Sequence, residues 1–88
     1  MSPNQPENIE ASFSTLVLSI GSSAAIALGL SPNPANGKIE KDNHLARFNI
    51  DLLSMLQDKT KNNLNDEEKK FLDFMVSDLQ MRFVQCTK

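Results

Sequence analysis

Residues 11–37 read ASFSTLVLSIGSSAAIALGLSPNPANG, 27 consecutive positions without a charged side chain. Helices on the surface of a soluble protein carry Lys or Glu on their outer face. A helix without any must cover its whole circumference with protein or with lipid. Within the run, Gly21, Ala25 and Gly29 recur every fourth residue. Such a stripe of small residues lets a second helix backbone approach closely.

Ser12 precedes the apolar run and suits an N-cap. The first helix is expected over about residues 12–28, with Gly29 taking the left-handed conformation that ends it. Pro32, Pro34 and Asn36-Gly37 then make residues 31–41 a loop. Asp42 can cap a second helix over about residues 43–61, closed by Asn62-Asn63. Asn65 with Glu68 three positions later is a capping-box pattern, and it opens a third helix over about residues 66–85. No segment alternates with period two, so no sheet is expected. The fold class is therefore all-α: three main helices in a small bundle. Residues 1–10, with Pro3 and Pro6, are expected to be a disordered tail, and residues 11–88 a single helical domain.

The chain has 88 residues and is 40% hydrophobic. A domain of this size has a marginal core. Its helices nevertheless carry more apolar surface than three elements can cover among themselves. On the first, Phe13, Leu16, Val17, Ile20, Ala24, Ala27 and Leu28 form a core arc. A second stripe holds Leu18, Gly21, Ala25 and Gly29, and the remaining side Thr15, Ser19, Ser22 and Ile26. The second helix is apolar around most of its girth, with a narrow wet strip of Arg47, Asp51, Ser54 and Asp58. The third has a main face of Leu72, Met75, Val76, Leu79, Phe83 and Cys86, and a separate patch of Phe71, Phe74 and Met81. The surplus predicts a homo-oligomer, with a dimer as the simplest form. Its interface is expected at Leu18, Gly21, Ser22, Ala25, Ile26 and Gly29, with Phe71, Phe74 and Met81 as a second contact. An unidentified protein partner is the alternative occupant.

Several function classes lose support on composition. The net charge is −2, which gives no long-range attraction to phosphate or to anionic lipid. Lys59, Lys61, Lys69 and Lys70 lie among Asp58, Asp66, Glu67 and Glu68, which cancel their field, so no nucleic-acid partner is expected. One His and one Cys do not make a structural zinc site. Asn36-Gly37-Lys38 lacks the spaced glycines and the Ser or Thr of a phosphate loop. No cofactor, metal or catalytic residue is therefore expected, and the chain reads as a non-enzyme. Glu7 and Glu10 precede the apolar run where a secretory signal would have basic residues. The uncharged stretch from Phe13 to Leu30 reaches about 27 Å as a helix, short of a bilayer core. A membrane span is not expected, and a lone cysteine suits a reducing, cytoplasmic setting.

Three stretches carry a family resemblance: FSTLVLSIGSSAAIALGL (13–30), IDLLSMLQDKTKNNLNDEE (50–68) and DLQMRFVQ (78–85). With the Pro32-Asn33-Pro34 and Gly37-Lys38 loop, they resemble a family of short bacterial proteins catalogued as a domain of unknown function. The turn from Lys59 to Leu64 and the acidic residues after it are the most specific part. Family members often have Gly where Asn62 or Asn63 stands, Arg where Gln80 stands and Tyr where Phe83 stands. The resemblance implies a bacterial, cytoplasmic, helical protein and brings no catalytic residue. The expected role is a non-enzymatic assembly or adaptor module. The alternative is a binder of a small apolar ligand or lipid, with the serine side of the first helix and the Phe and Met side chains lining the pocket.

Overall fold

The computed structural model describes residues 11–87, so the tail expected over residues 1–10 lies outside the described residues. Three helices follow in order: α1 (Phe13–Ala27), α2 (Asn43–Lys59) and α3 (Asp66–Cys86). No strand occurs among the described residues.

Each helix starts where a short polar side chain can accept a bond from the first turn. Ser12 Oγ accepts the Thr15 N–H at 3.1 Å. The Asp42 carboxylate accepts the Leu45 N–H at 3.0 Å. Asn65 completes a capping box: its Oδ1 accepts the Glu68 N–H at 2.8 Å, and Glu68 Oε1 accepts the Asn65 N–H at 3.0 Å. Asp66, Glu67 and Glu68 occupy the first turn of α3, where negative charge suits the helix dipole.

The ends are equally local in origin. Gly29 takes φ +82°. The Leu30 N–H donates to the Ala25 carbonyl and the Gly29 N–H to the Ile26 carbonyl, both at 3.0 Å. These are the two bonds of a Schellman motif. After α2, Asn62 takes φ +68° and turns the chain toward α3. The connection from α1 to α2 is tied down rather than free. The Asn33 N–H donates to the Lys38 carbonyl at 2.8 Å, and the Asp42 N–H to the Ala27 carbonyl at 2.8 Å. Lys41 Nζ also reaches across to the Cys86 carbonyl at 2.8 Å, where a cation suits a helix C-terminus.

All three helices pack against one another around a core of Val17, Ala24, Ala27, Leu28, Ala46, Ile50, Leu53, Leu72, Val76 and Leu79. Three of these are alanines on α1 and α2, which keeps the core thin. The molecule measures 40 × 38 × 15 Å along its principal axes. Two layers of helices spaced about 8–10 Å apart account for that thickness. A slab this shallow leaves much of each helix at the surface.

The core arc expected on α1 needs one correction. Leu16 is 47% exposed, not buried. The buried stripe is Val17, Gly21, Ala24 and Leu28, and Leu16 lies about 100° around the helix from Val17. On α2, Asn49 is buried at 7% exposure, which its polar character did not suggest. Its Nδ2 donates to the Leu45 carbonyl one turn back at 3.0 Å, so the amide is satisfied within its own helix.

Candidate interaction surface

Among the described residues, ten large apolar side chains remain exposed. They include Leu18 on α1, Phe48 and Met55 on α2, and Phe74, Met81 and Val84 on α3. Phe74 is 63% exposed, Met81 56% and Leu18 54%. On α3, Phe74, Asp78 and Met81 stand at i, i+4 and i+7, one stripe of the helix. Asp78 is joined to Arg82, with Oδ2 and Nε 3.0 Å apart, and both side chains remain solvent-accessible. This stripe borders a groove of about 280 Å³ between α3 and α1, whose walls include Ser22, Ala25, Met75, Asp78 and Arg82. The structure therefore brings part of the expected α1 stripe beside α3.

The nine residues expected at an interface do not share one environment. Leu18, Ser22, Phe74 and Met81 are exposed. Ala25, Ile26, Gly29 and Phe71 are half-buried, and Phe71 packs on the core. Gly21 is buried, and the Met75 methyl fills the space beside it. The close approach that the glycine permits is thus made inside the chain, between α1 and α3. Gly29 also has an internal role, as the residue that ends α1, with Lys41 and Ile39 over it. Neither glycine is a free contact surface.

A second depression, of about 600 Å³, lies at the α2–α3 turn. Its lining includes Ser54, Asp58, Lys61, Lys69, Leu72 and Asp73. The serines of α1 and the side chains of Phe71, Phe74 and Met81 take no part in it. This depression is therefore not the serine-, Phe- and Met-lined pocket of the ligand-binding alternative. On its wall, Lys69 Nζ meets Asp73 Oδ2 at 2.8 Å and Gln57 Nε2 donates to Asp73 Oδ1 at 2.9 Å. The bond from Lys69, then that from Gln57, lowers the Asp73 pKa below the usual carboxylate value. The same pairing with Asp73 raises that of Lys69. Each group is thus held in its charged form by the other.

His44 is exposed in the first turn of α2, whereas Cys86 is half-buried at the end of α3 and packs on the core. No group of three His, Cys, Asp or Glu side chains that could hold a metal ion occurs among the described residues. No helix among them is long and apolar enough to cross a membrane.

No curated protein and no solved structure matches the chain. A family model described as a domain of unknown function, DUF1844, matches residues 10–85. That span takes in all but the last residue of the three helices, and the chain accordingly belongs to this family.

Proposed function

We propose that this protein is a non-enzymatic assembly module that acts as a homo-oligomer, with a dimer as its basic unit. The observation that carries the reading is the exposure of Phe74 and Met81, together with Leu18, on a domain whose core is thin. Burying a side chain of this size is worth about 1.5–3 kcal/mol. Left in water, the group forfeits that gain and forms an adhesive patch. A copy of the same chain brings an equal patch, and twofold pairing is the commonest way of covering one. The unpaired thiol of Cys86 suits a reducing, cytoplasmic setting.

Phe74→Ser tests the reading, because Phe74 is exposed and its loss leaves the core intact. Light scattering at one fixed concentration is expected to give twice the 9.8 kDa chain mass for the unmodified protein and a lower value for the variant, at equal helicity. A single-chain mass for both proteins contradicts the reading.

A further inference from the structure

We propose that the partner on the α3 stripe is a second copy of this chain, with the two α3 helices crossing antiparallel about a twofold axis near residue 80. The inference rests on the assembly reading above and names the face and symmetry through which it works. Its basis is charge. Asp78 and Arg82 sit one turn apart beside Phe74 and Met81, so the patch carries one anion and one cation next to its apolar side chains. A twofold interface brings a patch against itself and needs it to be self-complementary. In a parallel pairing in register, Asp78 faces Asp78 and Arg82 faces Arg82, which repels. Antiparallel pairing centred near residue 80 sets Asp78 opposite Arg82 on both sides of the axis. It also places Met81 close to its own symmetry mate, where two apolar side chains cover one another.

The arrangement keeps the bonds already present. Arg82 uses Nε toward Asp78 within its own helix. A guanidinium has five N–H donors, so its remaining ones can face a partner's carboxylate.

With the axis near residue 80, residues 74–86 of the two α3 helices face each other, about 20 Å of each helix. With the neighbouring flank of α1, about one helix diameter wide, that overlap projects to roughly 400 Å². A standard interface buries about 800 Å² of accessible surface per partner, so the pairing suits a dimer that dissociates on dilution. The neutral Asp78–Arg82 pair argues against an anionic membrane as the occupant, since such a surface recruits a basic rim.

Charge-segregated variants test the proposal on the full chain. Asp78→Arg leaves two cations on the patch, and Arg82→Asp leaves two anions. Each variant alone is expected to fall from twice the chain mass to the single-chain mass. An equimolar mixture is expected to recover the doubled mass as a 1:1 heterodimer. An effect on helix stability alone gives no such recovery.

If both single variants stay dimeric, or the mixture fails to pair, the antiparallel Asp78–Arg82 pairing is wrong, while the assembly reading is judged separately by the mass of the unmodified protein and of Phe74→Ser. If the unmodified protein is itself a single chain, the assembly reading fails and this proposal with it. Should either variant lose its helicity, cross-linking decides the matter. In a Cys86→Ser background, Met81→Cys is expected to give a covalent dimer on mild oxidation, and Phe48→Cys on α2 is not. The reverse pattern overturns the proposal.

Discussion

The terminal methyl of Met75 occupies the space that a β-carbon on Gly21 would fill. A helix on the same chain therefore exploits the missing side chain, and α1 and α3 are fitted together at this point. The neighbour that yields most easily is the far end of a flexible thioether, not backbone.

Substitutions at Gly21 should therefore act on folding before they act on association. Gly21→Ala gains up to about 1 kcal/mol of helix propensity and displaces the Met75 methyl, so the two effects nearly cancel. Gly21→Leu overfills the space and is expected to cost about 1–3 kcal/mol. Urea denaturation checks both: the alanine midpoint should stay near that of the unmodified protein, and the leucine midpoint should fall.

Leu72 and Leu16 should respond very differently to the same change. Leu72 is 1% exposed at the centre of the core. Leu72→Ala is expected to cost about 2–5 kcal/mol. For a domain of this size that lowers Tm by roughly 10 °C or more. Leu16 is half in water, so Leu16→Ala should cost less than about 1 kcal/mol. Thermal melts followed by circular dichroism distinguish the two, and equal shifts would place Leu16 in the core after all.

The turn after α2 has a test of its own. Asn62 holds φ +68°, a region that asparagine tolerates and alanine resists. Asn62→Ala should destabilise by about 1 kcal/mol, whereas Asn62→Gly should be neutral or slightly stabilising. The readout is the denaturant midpoint of each. A harmless alanine would mean that the turn does not need the left-handed conformation.

The Lys69–Asp73 pair predicts opposite effects at the two ends of the pH scale. Asp73 has a lowered pKa in the fold, so its contribution is present above the unfolded value of 3.8 and is lost as pH falls through the folded one. Lys69 has a raised pKa, so its contribution is present below 10.5 and is lost as pH rises through the folded one. The pair is exposed, so the effect is small. NMR titration of the Asp73 carboxyl is the appropriate measurement. Lys69→Ala should move its midpoint up toward 3.8, with the Gln57 bond keeping it partly depressed.

What could be read from the chain follows from the range of each interaction. Ser12, Asp42 and Asn65 cap their helices through residues three positions away, and Gly29 and Asn62 turn the backbone by their own conformational freedom. These choices are local and visible in a short window. The partner of Gly21 was not visible. Small-residue spacing says that something comes close, but the identity of that helix depends on how α1 and α3 are brought together over more than fifty residues of chain. The Lys41 bond to the Cys86 carbonyl was missed for the same reason, since it links positions 45 apart. Asn49 is a different case. Its polar type signals solvent, yet the carbonyl one turn back satisfies it, and nothing in the sequence marks that choice. Of the expected interface, the exposed positions Leu18, Ser22, Phe74 and Met81 are available for contact, and the two glycines are committed within the chain.

Sedimentation equilibrium of the unmodified protein across a dilution series tests most directly whether a second copy covers the apolar stripe of α3. The expected result is a mass near twice 9.8 kDa at high concentration, falling toward 9.8 kDa as the protein is diluted. A mass of 9.8 kDa at every concentration, with the helices intact, would contradict the account.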